Sequence, residues 1–155
     1  MLNDQKIKFE DIQAVEVETY KIAAEHAHVP WDDFASAQLS FPYLVGLAAR
    51  YRSIKFEHFD ENTRKDPAFA AFSRKLTISA PAEIDQLYPR LRPARVTVTT
   101  PNGRFVRQAD EAWGSRLVPL DDEGLIAKFL GLVEPVFGVP REGIVRAAVE
   151  YRQDG

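Results

Sequence analysis

The feature that most constrains the fold is a hairpin in the second half of the chain. Two segments of alternating apolar and polar residues, 94–100 and 104–109, flank Pro101-Asn102-Gly103. An Asn-Gly pair accepts the positive φ angles of a tight turn between two strands. The pattern therefore predicts two adjacent antiparallel strands, which need further elements of the chain to cover one of their faces.

Two further segments show the period-two alternation of half-buried strands. The first lies within 11–20, where Val15, Val17 and Thr19 alternate with Ala14 and other residues that face away from them. The second covers 76–80. Together with the hairpin, these segments predict a sheet of four strands.

Apolar residues at spacings of three and four predict the helices. Aspartates at positions 60, 66 and 121 fit helix caps, because a carboxylate accepts hydrogen bonds from the free N–H groups of a first turn. Ser40 fits the cap of a helix that begins near Phe41 and has Pro42 in its first turn. The predicted helices cover 21–28, 41–51, 67–74, 122–135 and 140–151.

The order of these elements predicts an α+β fold, an antiparallel sheet covered on one face by helices. The sequence contains no repeat and no long linker, so residues 1–155 are interpreted as a single domain. The helices within 121–152 stand apart, because they can pack on something other than the sheet.

Composition excludes several kinds of function. The chain has no cysteine, which rules out disulfides, thiolate metal sites and cysteine nucleophiles. Its net charge of −3 argues against a nucleic-acid partner. No apolar run approaches the ~20 residues that span a bilayer, and the polar N-terminus does not resemble a signal peptide. We therefore expect no membrane association and a cytoplasmic location.

Few residues stand out as chemical candidates. His26 and His28 are two residues apart, which would put them on different sides of a helix, so the sequence predicts no metal site. No glycine-rich phosphate loop is present. The acidic pairs at 32–33 and 121–122 are better explained as helix caps than as acid/base pairs, and the arginines at 90, 92 and 95 as a solvated loop.

Tyr43 is the most interesting candidate. Its position in the first turn of the predicted helix 41–51 would place a phenol where free N–H groups favour anions. Gln38 and Ser40 lie close to it in sequence. An aromatic residue at helical spacing is more often part of a core, however, and the pattern alone favours that interpretation.

A set of short motifs, in the same order and spread over nearly the whole chain, resembles the C-terminal part of the MmgE/PrpD family. Each motif is weak alone, and their ordered set is specific. The motifs are residues 37–43 (AQLSFPY), 65–69 (KDPAF), 87–89 (LYP), 92–98 (RPARVTV), 102–104 (NGR), 113–114 (WG), 119–123 (PLDDE) and 127–129 (AKF).

The resemblance implies a function. The family contains 2-methylcitrate dehydratase, cis-aconitate decarboxylase and iminodisuccinate epimerase, which act on di- and tricarboxylates without a metal or organic cofactor. It implies a helical catalytic domain, a smaller α+β lid and a dimer. The family's Ser-x-Pro-Tyr segment matches residues 40–43, which makes Tyr43 the predicted catalytic residue and Ser40 and Gln38 predicted substrate-binding residues.

The chain also departs from the family. Leu39 replaces a usual phenylalanine, and Gly124 stands where an acidic residue is usual. The helical domain with its catalytic Asp, His and Lys groups has no counterpart in these residues, so we expect the isolated chain to be inactive. It would then be a fragment of a longer enzyme, one subunit of a split enzyme, or a repurposed lid.

Two alternatives to a lyase or isomerase lid remain open. One is a non-catalytic interaction module that uses the last helices to bind a helical chain or a second copy. The other is a small-molecule-binding α+β domain in which Tyr43 belongs to the core.

Overall fold

A computed structural model of the chain describes residues 2–138 and Gly143, without the side chains of residues 136 and 137. The described residues form two compact units. The first unit contains 2–54 and 58–112, and the second contains 55–57, 113–138 and Gly143. The predicted helix over 140–151 lies outside the described residues.

The first unit is built on a four-stranded sheet in the order β2-β1-β3-β4. The hairpin β3–β4 is confirmed, with Val98 opposite Phe105 and Thr100 opposite Gly103. β1 pairs with β3 in antiparallel register, which places Val17 opposite Val96. The strands are β1 (Ala14–Thr19), β2 (Leu76–Ser79), β3 (Ala94–Thr100) and β4 (Gly103–Ala109).

The sheet differs from the prediction in one pairing. β1 and β2 run parallel, with Val15 beside Leu76 and Val17 beside Ile78. A long helical connection joins these two strands, and such a crossover can return the chain to the end of the sheet from which it started. The α+β class is therefore confirmed, and the sheet is mixed rather than wholly antiparallel.

The helices between β1 and β2 follow the predicted order. The chain leaves β1 into a short helix that continues as a 3₁₀ turn over Glu25–His28. A second 3₁₀ turn covers Phe56–Phe59. The helices are α1 (Lys21–Ala24), α2 (Phe34–Leu39), α3 (Phe41–Tyr51), α4 (Glu61–Arg64), α5 (Pro67–Ser73), α6 (Ala82–Asp85) and α7 (Asp122–Phe137).

Most of the predicted caps are confirmed. The side chains of Asp60, Asp66 and Asp121 accept hydrogen bonds from first-turn N–H groups of α4, α5 and α7. Ser40 takes the cap position of α3, but its side chain makes no capping hydrogen bond. Asp33, from the acidic pair that was also predicted to cap a helix, caps α2, which ends at Leu39 and is separate from α3.

The core of the first unit lies between the sheet and α3 with α5. One face of β1 and β3 contributes Val15, Val17 and Val98, and Ala49 and Phe72 come from the two helices. The helices approach closely at Gly46, where an added Cβ would lie 2.9 Å from Cδ1 of Phe69. A side chain at this position would therefore push α3 away from α5.

The second unit is organised around α7. Its first turn is closed by Asp121, whose carboxylate accepts a 2.8 Å hydrogen bond from the Gly124 N–H. A Cβ on Gly124 would lie 2.9 Å from Oδ1 of Asp121 and 3.1 Å from the Trp113 ring, so the glycine fits a crowded turn. Within the described residues, no helix is both long enough and apolar enough to span a membrane.

Candidate active-site segment and the α1–β2 cavity

The segment that matches the family motif lies at the junction of α2 and α3. Leu39 ends α2, Ser40 links the two helices, and Phe41 begins α3. Pro42 stands in the first turn of α3, where its missing N–H is not needed. The prediction of a helix that begins near Phe41 is confirmed, and Tyr43 lies in its first turn.

Tyr43 is fully buried in an aromatic cluster within the first unit. We call this group the Tyr43 cluster. Its ring packs edge-on against Phe59 and Phe69, with centroids 6.1 and 5.2 Å away, and lies nearly parallel to Trp31 at 6.1 Å. The members of the cluster are Trp31, Ala37, Tyr43, Leu44, Leu47, Phe59 and Phe69.

The phenol of Tyr43 already has a partner. Its O–H donates a 2.5 Å hydrogen bond to the backbone carbonyl of His58. Burial, reinforced by the negative charge of Asp60, raises the pKa of Tyr43 to about 12. The phenol is therefore held neutral at physiological pH, with its proton directed at a main-chain acceptor.

The other two predicted site residues lie in contrasting environments. Gln38 is exposed on α2, whereas Ser40 is fully buried. The Oγ of Ser40 has no hydrogen-bond partner within the described part of the chain. The structure thus places Gln38, Ser40 and Tyr43 along one segment, but it gives them three different surroundings.

The histidines do not form a metal site. His26 lies with Nδ1 3.0 Å from the Leu39 carbonyl, which ties the 3₁₀ turn to the end of α2. His28 is exposed and lines the cavity described below. Among the residues that the structure describes, no group of three or more His, Asp or Glu side chains could hold a metal ion.

The acidic and basic residues noted in the sequence have structural partners. Asp33 accepts a hydrogen bond from the Ser36 N–H, and this contact lowers the pKa of Asp33. Arg95 forms a two-point ion pair with Glu18 across β1 and β3, and this contact lowers the pKa of Glu18. Arg95 thus belongs to β3 rather than to the predicted solvated loop, and cap formation and cross-strand pairing explain Asp33 and Arg95.

An open cavity of about 550 Å³ lies between α1, its 3₁₀ extension and β2. We call it the α1–β2 cavity. Pro42 lines it, so the family motif contributes its proline rather than its tyrosine to this space. The cavity was not predicted from the sequence, because all the strands were assigned to an antiparallel sheet, whereas β1 and β2 run parallel. Its remaining walls come from Lys21, Ala24, Glu25, Ala27, His28, Ser73, Leu76, Thr77, Ile78, Ser79 and Ala80.

Comparison with known proteins supplies the family. No curated protein sequence matches this chain. The family model for the MmgE/PrpD C-terminal domain matches residues 1–151, nearly the whole of the 155-residue chain. A C-terminal domain of this kind implies a catalytic domain with which it acts. The chain belongs to the MmgE/PrpD C-terminal domain family.

Proposed function

We propose that this chain is the lid portion of a cofactor-independent lyase or isomerase that acts on di- or tricarboxylates. A helical catalytic domain, in the same enzyme or in another subunit, supplies the acid/base groups. The observation that carries this proposal is the family match over residues 1–151, together with the ordered motifs from residue 37 to residue 129. The choice between dehydration, decarboxylation and epimerisation belongs to the catalytic domain.

The surface of α7 supports a partner domain. Leu125, Phe129 and Leu132 follow the spacing of one helix face and are 60%, 49% and 53% exposed. Soluble monomers seldom expose a large continuous apolar patch, and such patches mark surfaces that bind other proteins. We propose that the helices within 121–152 pack against the helical catalytic domain. A second copy of the chain is the alternative occupant.

Tyr43 has two competing roles in this proposal. As a catalytic residue, its phenol would deliver a proton to the substrate or stabilise a developing enolate, which requires its oxygen within about 3 Å of the reacting atom. As a packing residue, it would anchor α3 in the aromatic cluster. Its complete burial and its bond to the His58 carbonyl favour the packing role. The catalytic role is retained as a prediction from the family motif.

Substitution of the phenol separates these roles in the assembled enzyme. If Tyr43 is catalytic, Tyr43→Phe lowers kcat by about 100-fold or more while the fold is kept. If it is a packing residue, kcat changes little and only stability falls. Tyr51→Phe is the matched control, because Tyr51 is a partly exposed tyrosine at the other end of α3.

The partner surface is tested by reconstitution. The chain is mixed with the helical catalytic domain from the same source, and turnover of 2-methylcitrate and cis-aconitate is measured together with the mass of the complex. We expect Phe129→Ser to weaken the complex and to lower turnover in proportion. Val106→Ser is the control, because Val106 is an equally exposed apolar residue on β4. Equal effects of the two variants would contradict the role of α7.

An interaction module without catalysis uses the same α7 face, so the complex alone does not distinguish it from a lid. Turnover does. A stable complex with the catalytic domain, whose activity is the same with and without this chain, would favour the interaction module.

A further inference from the structure

We infer that the α1–β2 cavity binds a small monocarboxylate that carries several hydroxyl groups. This site is distinct from the Tyr43 cluster and goes beyond the proposed lid function. Within the motif segment, Pro42 lines the cavity, whereas Tyr43 packs in the aromatic cluster.

The size of the cavity fits a small molecule. Its volume of about 550 Å³ lies within the usual range of ligand pockets, about 300–1,000 Å³. Its lining combines apolar residues, among them Ala24, Pro42 and Ile78, with polar ones such as Lys21 and Glu25. A few polar groups placed around an apolar wall are typical of sites that orient a ligand.

The position of the cavity in the sheet favours binding. Lys21 lies two residues after Thr19, the last residue of β1, and Ser79 is the last residue of β2. These two strands are parallel neighbours, so their carboxyl ends lie at the same edge of the sheet. Crevices outside the carboxyl ends of parallel strands are where ligands bind in open sheets.

The edge of β2 adds backbone donors. The Val15 N–H bonds the Lys75 carbonyl, and Val15 lies beside Leu76. In a parallel pair the residues alternate in direction, so the N–H groups of Leu76 and Ile78 point away from β1. Both residues line the cavity, and β2 is the edge strand of the sheet. Their N–H groups can therefore donate to a ligand.

The side chains define the charge of that ligand. Lys21 supplies an ammonium group, and it forms no ion pair with any described residue of the chain. Glu25 supplies a carboxylate to the same cavity, and the Asp85 carboxylate accepts a 2.7 Å bond from the Lys21 backbone N–H, so a second negative charge on the ligand would be repelled. A single ammonium group beside these carboxylates thus favours a ligand with one carboxylate over phosphates and over the di- and tricarboxylates of the proposed enzyme.

The hydroxyl groups define the rest of the ligand. Thr77 and Ser79 line the cavity, and their hydroxyl groups can both donate and accept hydrogen bonds. The Ser73 hydroxyl also lines it, but it donates a 3.0 Å bond to the Ala70 carbonyl and can only accept from a ligand. Glu25 can only accept, which suits a ligand hydroxyl. A polyhydroxylated chain that ends in a single carboxylate satisfies both sets of groups.

Three probes separate these requirements. Gluconate carries both the carboxylate and the hydroxyl groups, sorbitol carries only hydroxyl groups, and hexanoate carries only the carboxylate. Each is titrated into the 155-residue chain, and the backbone amide signals are followed by NMR. We expect saturable shifts at Lys21, Ile78 and Ser79 with gluconate, and weaker binding by about tenfold with either of the other two probes.

Variants test which groups are responsible. Lys21→Met should weaken gluconate binding by about tenfold, whereas Lys8→Met, at an exposed lysine outside the cavity, should not. Glu25→Gln should strengthen binding of the dicarboxylate succinate, because it removes the repelling charge. Equal binding of gluconate and sorbitol, or loss of binding in Lys8→Met alone, would overturn the inference, and so would the absence of saturable shifts.

The titration uses the chain alone and measures no turnover. Failure to bind gluconate would therefore leave the lid proposal standing. Failure of the lid proposal would likewise leave a positive titration unchanged.

Discussion

Pro42 and Tyr43 are neighbours in the first turn of α3, but they belong to two very different regions. Tyr43 lies in a closed aromatic cluster with its phenol bonded to the His58 carbonyl, whereas Pro42 lines an open cavity with both apolar and polar residues in its walls. Neighbouring helical residues point about 100° apart, because a turn contains 3.6 residues. Within one motif, the tyrosine therefore packs in the interior and helps to hold α3 in place, whereas the proline beside it lines the open cavity.

Substitutions should lower the free energy of unfolding in the Tyr43 cluster and change it little at the α1–β2 cavity. The largest effect is expected in the cluster. Phe69→Ala removes a fully buried ring that contacts Tyr43 and lies against Gly46. We expect the free energy of unfolding, measured by urea denaturation, to fall by about 3–5 kcal/mol. Phe129→Ala, at an exposed ring, is the control. A loss below about 1 kcal/mol for Phe69→Ala would show that the cluster is loosely packed.

A smaller effect is expected when only the phenol oxygen is removed. Tyr43→Phe keeps the ring and leaves the His58 carbonyl without its donor. The expected loss of unfolding free energy is about 1–2 kcal/mol, and Tyr51→Phe should cost less than about 0.5 kcal/mol. The same denaturation curves measure both variants. Equal losses in the two would contradict a structural hydrogen bond at Tyr43.

The stability of the Tyr43 cluster should also depend on pH through the cap of α5, the helix that contains Phe69. Asp66 accepts a 2.8 Å bond from the Ala68 N–H and pairs with Arg50 at 2.8 Å. The backbone bond, followed by the charge of Arg50, lowers the pKa of Asp66 below its ordinary value of 3.8. A lowered pKa stabilises the folded state above the unfolded pKa, and this stability is lost as pH falls through the folded value.

We therefore expect the contribution of Asp66 to the free energy of unfolding to be constant at neutral pH and to be lost as the pH falls below the ordinary range of an aspartate. In Asp66→Asn, the loss of unfolding free energy in acid should be smaller by about 1 kcal/mol, because the titrating cap is gone. Urea denaturation at a series of pH values measures both curves. Identical acid slopes in the two proteins would show that Asp66 does not contribute.

The smallest effect is expected at the cavity. Lys21 and Glu25 are exposed, so Lys21→Met and Glu25→Gln should each change the free energy of unfolding by less than about 0.5 kcal/mol. Thermal and urea denaturation can confirm this. A loss as large as that of Tyr43→Phe would mean that these side chains stabilise the fold rather than serve a ligand.

The parts of the fold set by local chemistry could be predicted from the sequence. The Asn102-Gly103 turn paired β3 with β4, and the carboxylates of Asp60, Asp66 and Asp121 began their helices, as short-range patterns indicated. The start of α3 near Phe41 was found in the same way. Each of these features depends on residues no more than a few positions apart.

Features that depend on distant parts of the chain could not be predicted. The parallel pairing of β1 with β2 is decided by how the intervening helices pack, and the α1–β2 cavity depends on that pairing. The Tyr43 phenol donates to a backbone carbonyl, and residue types in a sequence do not indicate which backbone carbonyl will lie near a side chain. The separate helix α2 could have been found, because Asp33 and Ser36 have the spacing of a capping box.

The central claim is that this chain is a lid that contributes to turnover only together with a catalytic domain. The most direct measurement is the rate at which the purified chain converts 2-methylcitrate or cis-aconitate, alone and after addition of the helical catalytic domain. The account predicts no turnover by the chain alone and turnover by the mixture above that of the catalytic domain by itself. Turnover by the chain alone would contradict the account, as would a catalytic domain whose rate does not change when the chain is added.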